Sequence, residues 1–324
     1  MFESSLLILL IALILDWVLG EPPALWSRFP HPIVLFGKAV AWADSHLNLS
    51  SERDSVRYKK GAVAIALLIL IALIVGLFLT WVVAAVPLFG VGIEAFVVFV
   101  LLAQRSLFDH VSAVCDGMKE RGLIGGQEAV GMIVGRDPKV LDKSGVSRAA
   151  IESLAENFSD GVVAPAFWYV IFGLPGILVY KMINTADSMI AYRNEKYLWF
   201  GRATAQIDDL ANWVPARLSA IILAFGAALH QGLDAAKNAL RCAWRDAGLH
   251  RSPNAGWPEA AMAGAINIAL GGPRQYSEEA VLQPYINASG RERLEAGDID
   301  IALGVFSQAC YALWAGVLVL LVLF

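Results

Sequence analysis

Two long runs without a charged residue constrain this chain more than any other feature. Residues 62–86 and 301–324 contain no Asp, Glu, Lys or Arg, and each reaches the roughly 17–25 residues that a membrane-spanning helix needs. A third uncharged run, residues 161–180, is interrupted by the segment GLPG at 173–176, and weaker apolar stretches lie at residues 4–19, 88–103 and 213–229. The sequence therefore predicts an all-α polytopic membrane protein with about five to seven membrane helices, some of them broken or re-entrant, and helical cytoplasmic segments.

The composition supports this class and disfavours several others. Hydrophobic residues make up 57% of the 324 residues and charged ones 17%, whereas a soluble domain carries about a quarter of charged residues. The net charge of −4 gives no reason to expect a nucleic-acid partner. Cys115, Cys242 and Cys310 are widely separated and odd in number, which indicates neither a zinc site nor a disulfide framework. Glu3 precedes the first apolar stretch and no basic residue does, which favours a retained helix over a signal peptide.

Four polar blocks separate the apolar runs and are expected to form the active-site face of one integral-membrane domain, residues 1–324. They comprise residues 20–60, 104–160, 181–212 and 230–300. The basic end of the first block, residues 57–60, indicates a cytoplasmic position. If residues 161–180 and 213–229 both span, block 181–212 falls outside, although it is rich in reactive groups. A re-entrant helix at GLPG would remove the conflict, and the sequence leaves this choice open.

The segment ESLAENFSDG, residues 152–161, places three carboxylates four residues apart at the edge of an apolar run. Glu152, Glu156 and Asp160 would share one helical stripe, where they repel one another unless a cation is present. Carboxylates combined with a substrate phosphate suit Mg²⁺, so these residues, together with Asp187, are the predicted metal ligands. The alternative is a solvated helix face with Arg148 and Glu152 as an ion pair.

Two further segments carry polar stripes on otherwise apolar helices. In KMINTADSM, residues 181–189, Lys181, Asn184 and Asp187 recur at helical spacing, which is typical of a cavity lining next to a membrane span. A hydrogen-bonded seam between helices is the alternative. In IDDLANWVPAR, residues 207–217, the polar residues are Asp208, Asp209, Asn212 and Arg217. An exposed helix start also favours Asp, so the second segment alone is a weak signal.

A basic segment follows the weaker apolar run at 213–229. Arg241 and Arg245 share a helix face and precede Arg251 and Asn254. Arginine clusters bind phosphate or carboxylate bidentately, although positive charge on a cytoplasmic loop explains them equally well. The chain has no Walker A motif, so any use of ATP does not involve a P-loop. His31, between two prolines in RFPHP, indicates a structural turn.

Taken together, these segments resemble the adenosylcobinamide-phosphate synthase family, the membrane-bound amide-forming enzymes of cobalamin biosynthesis. The resemblance covers about residues 16–290, and its motifs are long and occur in the right order; Ala191, where glycine is expected, is the one departure. The matching segments are FPHPIVLFG (29–37), SLFDHV (106–111), VGRDPKVLD (134–142), RAAIESLAENFSDGVVAPAFWY (148–169), GLPG (173–176), NTADSMIAYRNEKYLWFG (184–201), DDLANWVPAR (208–217) and SPNAGWPEAAMAG (252–264).

The resemblance implies a reaction and its ligands. ATP would activate a propionate carboxylate of adenosylcobyric acid, a corrinoid, and the amine of (R)-1-aminopropan-2-ol phosphate or the free amino alcohol would attack it. Magnesium would accompany ATP, and the enzyme would lie in the inner membrane with its active site towards the cytoplasm. The expected catalytic residues are Lys181, Asp187, Asp208 and Asp209. The expected substrate and phosphate contacts are Asn184, Arg193, Asn212, Arg217, Arg241, Arg245, Arg251 and Asn254.

Two other functions share some of these features. A magnesium-dependent polyprenyl or CDP-alcohol transferase would also carry Asn/Asp-rich helices, but the recurring Asp motifs of those families are absent here. A transporter would place its polar residues within the spans, whereas most of them flank the spans here. The sequence does not identify the corrin-pocket residues, the amine donor or the oligomeric state.

Overall fold

Helices make up most of the described chain, as the sequence predicts. The computed structural model describes residues 2–22, 26–135, 137–272, 274–276, 279–281 and 284–324. The helices are Phe2–Leu19 (α1), Pro32–Leu47 (α2), Asp54–Ala85 (α3), Pro87–Leu101 (α4), Gln104–Val130 (α5), Lys143–Phe158 (α6), Ala164–Ile190 (α7), Arg202–Ala211 (α8), Trp213–Gln231 (α9), Leu233–Asp246 (α10), Gly256–Ala265 (α11) and Ala296–Leu323 (α12). Short 3₁₀ turns lie at Pro138–Val140 and Ala247–Leu249, and a π-helical turn at Ser159–Val163. The all-α class is confirmed.

Among the described residues, four very short strands interrupt this helical pattern. They are Leu270–Gly271 (β1), Arg274–Tyr276 (β2), Glu279–Val281 (β3) and Tyr285–Ile286 (β4). β1 pairs antiparallel with β4, and β2 with β3. The sequence predicts no strand, and that detail is wrong because strands of two or three residues are too short to show an alternating pattern.

The described chain falls into two compact units. Unit 1 comprises residues 1–103, 164–212 and 320–324, and unit 2 comprises residues 104–163 and 213–319. The single domain expected for residues 1–324 stays a prediction.

A buried arginine organises one end of unit 1. Arg57, on the first turns of α3, is 6% exposed. Its guanidinium donates to the Oδ1 of Asn48 and to the backbone carbonyls of Glu195 and Lys196. These bonds attach the segment between α7 and α8 to α3. Gly61, one turn further along α3, packs on the carbonyl of Phe200 so closely that a Cβ would overlap it.

Helix α7 reverses direction at Gly173 and forms a hairpin within unit 1. Gly173 has a φ of +64°, and Gly176 lies directly on the carbonyl of Trp168. Ala164 and Tyr180 belong to one apolar cluster, although they would be about 24 Å apart in a straight helix. The two arms therefore lie side by side, so that the start of the first arm and the end of the second arm lie at the same end of the hairpin. This confirms the predicted break at GLPG.

Helix α5 makes the same type of reversal in unit 2. Gly122 has a φ of +63°, and Gly117 packs against the carbonyl of Gly125 on the other arm. Only glycines allow two backbones to approach this closely. Also in unit 2, Gly226 of α9 packs on Val305 of α12. Several of the apolar segments thus owe their packing to glycine.

Five helical segments of the described chain are long and apolar enough to cross a membrane. They are Asp54–Ala85, Leu88–Val130, Lys143–Ile190, Trp213–Gln231 and Ala296–Leu323. This number agrees with the sequence-based expectation and supports a multi-pass membrane protein.

The uncharged runs predict the behaviour of the protein on extraction. Many side chains of α3 are exposed, among them Leu77 and Trp81, and such a surface is too apolar for a soluble protein. We expect the protein to stay in the membrane pellet after an alkaline carbonate wash and to need detergent for release, measured by immunoblotting of both fractions. Recovery as a soluble monomer after the wash would contradict the assignment.

Candidate functional site

Unit 1 brings the predicted polar residues of α7 and α8 together. We call Tyr180, Lys181, Asp187, Asp208, Asp209 and Asn212 the α7–α8 cluster. The Tyr180 hydroxyl donates to Oδ1 of Asn212 at 2.9 Å, and Nδ2 of Asn212 donates to Oδ2 of Asp208 at 3.0 Å. All three side chains are buried. This chain of hydrogen bonds fixes α8 against the second arm of α7.

Two carboxylates of the cluster interact electrostatically. The negative charge of Asp209, on α8, acts on Asp187, on α7. Burial raises the pKa of Asp209, and the positive charge of Arg193 opposes that shift. Two acidic groups that share a partly buried site repel each other, and a divalent cation relieves this repulsion. The pair also matches the one or two carboxylates with which proteins hold magnesium beside substrate phosphates.

Lys181 adds a positive charge on the second arm of α7. Its side chain is 8% exposed, and its charge reaches His31, where burial and, to a smaller extent, Lys181 lower the pKa of the imidazole. His31 itself accepts a hydrogen bond from the backbone N–H of Ile33 and caps α2. The structural role expected for His31 is confirmed. Asn184 lies between Lys181 and Asp187 on α7 and is partly buried.

The three carboxylates of the 152–161 stripe differ in environment within unit 2. Glu152 is 5% exposed, and its Oε1 accepts a hydrogen bond of 2.8 Å from the backbone N–H of Gly271 in β1. Glu156 is exposed, and Asp160 lies in the π-helical turn. The spacing in sequence does not reveal this difference, because β1, which supplies the partner of Glu152, is distant in sequence and a π-helical turn replaces the regular helix at Asp160.

No three His, Cys, Asp or Glu side chains of the described residues lie close enough together to hold a metal ion by themselves. A metal role for Glu152, Glu156, Asp160 and Asp187 therefore stays a prediction, and it requires phosphate oxygens or water as additional ligands. Arg148, the expected partner of Glu152, donates to the carbonyls of Ala269 and Glu292.

Arg217 is held between two tryptophans in unit 2. Its guanidinium carbon lies 4.3 Å from the ring centroid of Trp213 and 4.7 Å from that of Trp257. Nη1 donates to the Trp213 carbonyl at 2.6 Å and approaches Oδ1 of Asn254 at 3.5 Å. The structure thus joins two predicted residues, Arg217 and the buried Asn254. The two tryptophans were missed, although both belong to quoted motifs, because aromatic residues next to an apolar run resemble membrane anchors.

Arg241 and Arg245 line one small polar pocket of about 270 Å³ at the end of α10. Arg245 donates two hydrogen bonds to Asp246 and one to Oδ1 of Asn287. Its guanidinium holds the pKa of Asp246 below its usual range. The sequence analysis names neither Asp246 nor Asn287. Asn287 lies 42 residues from Arg245, so its contact with that residue cannot be predicted from spacing. Arg251, like Arg193, is exposed. Besides Arg241, Arg245 and Asn287, the residues that line the polar pocket are Asn238, Cys242, Gly264, Asn267 and Ser289.

Comparison with known proteins places these features in one family. The family model described as "CobD/Cbib protein" matches residues 9–306. The chain belongs to the CobD/Cbib family. Several quoted motifs, including those that supply the α7–α8 cluster and the Arg217 site, lie within the matched residues.

Curated members of the CobD/Cbib family resemble the chain over nearly its whole length. A protein of Sinorhizobium sp is 55% identical over 310 residues, which cover 96% of each chain. One from Rhizobium meliloti (strain 1021) is 54% identical and covers 96% of this chain and 95% of its own. One from Rhodobacter capsulatus is 43% identical and covers 93% of this chain and 92% of its own. Each is named "Cobalamin biosynthesis protein CobD". No solved structure matches the chain.

Proposed function

We propose that the protein is an ATP-dependent amide synthase of cobalamin biosynthesis. It joins a carboxylate of adenosylcobyric acid to the amine of (R)-1-aminopropan-2-ol phosphate, or of the free amino alcohol. The observation that carries the proposal is the family match over residues 9–306, together with relatives named for cobalamin biosynthesis. The α7–α8 cluster supports the proposal, because it brings carboxylates and an amide together and the same arm of α7 carries the ammonium group of Lys181.

The reaction has two steps. A carboxylate oxygen of the corrinoid attacks the γ-phosphorus of ATP, so that an acyl phosphate forms and ADP leaves. The amine nitrogen then attacks the acyl carbon, the amide bond forms and inorganic phosphate leaves with that carboxylate oxygen. The attacking amine must lose protons, and a carboxylate can accept one of them. No Ser or Cys nucleophile is required.

The residues of the α7–α8 cluster divide these tasks. Asp187 is the proposed magnesium contact, and Lys181 and Arg193 are the proposed phosphate contacts. Asp209 is suited to accept the amine proton, because burial raises its pKa above the ordinary value of a carboxyl group and makes the carboxylate a better proton acceptor. Asp208 and Asn212 position α8 through their hydrogen bond. Mg²⁺, when held by Asp187 and the substrate phosphates, would neutralise the charge of the transferring phosphoryl group.

Unit 2 carries anion contacts of its own in this proposal. Arg241 and Arg245, in their polar pocket, bind a phosphate or a carboxylate of a substrate. Arg217 and Asn254 contribute at the second basic site. The enzyme lies in the inner membrane, and its active site faces the cytoplasm, where ATP is available.

A coupled assay tests the proposal. Purified protein in detergent or nanodiscs should release ADP only when adenosylcobyric acid and the amine are both present, with one amide formed for each ADP. Mass spectrometry of the corrinoid product and enzymatic detection of ADP provide the two readouts. ADP release in the absence of either substrate, or amide formation without ATP, would reject the proposal.

A further inference from the structure

Helices α9 and α10 form an antiparallel hairpin in unit 2. One residue, Gly232, joins them, and its φ of +95° allows an abrupt reversal. At the opposite end, the Trp257 ring lies 4.7 Å from the Arg217 guanidinium at the start of α9 and 6.0 Å from the Trp244 ring at the end of α10. Since both ends of the two helices are adjacent, α10 lies alongside α9.

The hairpin has one strongly apolar surface. The two helices enclose an open groove of about 1170 Å³. Its rim contains Phe225 on α9 and Leu233 and Trp244 on α10, which are 61%, 72% and 83% exposed. Arg217 and Arg241 also line the groove. An apolar surface of this size, with tryptophan and arginine at its edge, matches the boundary between acyl chains and lipid headgroups.

The other face of α10 is polar and open to solvent. Asp234 and Lys237 form an exposed ion pair, and Asn238 is also exposed. The helix has 14 residues, which gives it a length of about 20 Å, whereas the hydrocarbon core is about 30 Å thick. If α9 crossed the bilayer, α10 would return beside it with these charges at hydrocarbon depth, which is strongly unfavourable.

We propose that α9 does not cross the membrane and that the α9–α10 hairpin lies in the lipid–water interface. Its apolar groove faces the acyl chains, Arg217 and Arg241 lie at the level of the lipid phosphates, and the polar face of α10 faces water. The occupant of the groove is thus the lipid surface of the bilayer. This is the arrangement of an amphipathic interfacial helix, which binds through apolar burial and attraction to anionic lipids.

The proposal has a consequence for the path of the chain. Residues before 213 and after 232 lie on the same side of the membrane. Together with the reversal of α7 at Gly173, this removes the conflict that arises when residues 161–180 and 213–229 are both counted as spans. The inference depends on packing alone and does not depend on the proposed reaction.

Single cysteines test the side of the membrane. In a full-length background in which Cys115, Cys242 and Cys310 are alanine, Gln206→Cys and Lys237→Cys report on the chain before α9 and after it. Leu88→Cys, at the connection between α3 and α4, reports on the opposite side. A membrane-impermeant maleimide is applied to intact spheroplasts and to inside-out vesicles. We expect positions 206 and 237 to react in the same preparation and position 88 in the other. Reaction of 206 and 237 in opposite preparations would overturn the proposal.

A second measurement identifies what covers the groove. Trp244→Cys, on the apolar face, and Lys237→Cys, on the polar face, are labelled with an environment-sensitive fluorophore in liposomes. Lipids that carry a spin label near the headgroup should quench the label at 244 several-fold more than the label at 237. Equal quenching at both positions would overturn the interfacial arrangement. A label at 244 that is shielded from water but not quenched would also overturn it, because a second copy or another protein would then cover the groove.

Discussion

Replacing Asp187 by Asn is expected to lower ATP-dependent amide formation by about 100-fold or more, the scale seen when one electrostatic contact to a transition state is removed. The substitution keeps the size of the side chain but deletes the carboxylate charge that interacts with Asp209. If this pair holds the magnesium of Mg–ATP, the variant also needs more magnesium for half-maximal rate. Initial rates over a magnesium series, measured as ADP and amide, give both values.

One control separates this effect from general damage, and a second variant tests the predicted metal stripe. Asp116→Asn removes one charge from an exposed position on α5 and should keep the wild-type rate and magnesium dependence. Glu156→Gln tests the predicted metal stripe in the same way, and a metal contact there should shift the magnesium dependence. A near-wild-type rate of Asp187→Asn with unchanged magnesium dependence would show that the α7–α8 cluster is only a packing seam.

Replacing Arg57 by Met is expected to lower the free energy of unfolding by roughly 3 kcal/mol or more, because hydrogen bonds to charged groups contribute about 1.5–3 kcal/mol each. The variant leaves Oδ1 of Asn48 and the carbonyls of Glu195 and Lys196 without the guanidinium that now donates to them. Thermal unfolding in detergent should show a clearly lower midpoint, and proteolysis should cleave near residues 191–201 first.

Lys59→Met is the matched control for this prediction. It also removes a positive charge from the start of α3, but Lys59 is exposed, so its effect on the midpoint should be small. Equal midpoints for the two variants would mean that the contacts of Arg57 do not stabilise the 191–201 segment.

The sequence predicts the class of fold well, because uncharged runs and helical periodicity are local features. It also locates the break in α7, since Gly173 and Pro175 are poor helix formers. It does not reveal that the break is a complete reversal, because this depends on the contact between Gly176 and the Trp168 carbonyl. The reversal of α5 at Gly122 is not predicted from the sequence either, because it depends on the contact between Gly117 and the Gly125 carbonyl.

The candidate site is predictable in part. Residues on one helix, such as Lys181, Asn184 and Asp187, or Asp208 and Asn212, follow from spacing alone. Contacts between segments that are distant in sequence cannot be predicted in this way. Examples are the hydrogen bonds of Gly271 with Glu152 and of Asn287 with Arg245, and the stacking of Trp257 on Arg217. Burial then distinguishes residues that look equivalent in sequence, as the pair Glu152 and Glu156 demonstrates.

The fate of one oxygen atom tests the proposed reaction most directly. Adenosylcobyric acid labelled with ¹⁸O in its free carboxylate is incubated with the protein, ATP and the amine, and the inorganic phosphate is analysed by mass spectrometry. If ATP activates the carboxylate as an acyl phosphate, each phosphate released with the amide carries one labelled oxygen. Amide formation with unlabelled phosphate, or with label in AMP instead, would contradict the account.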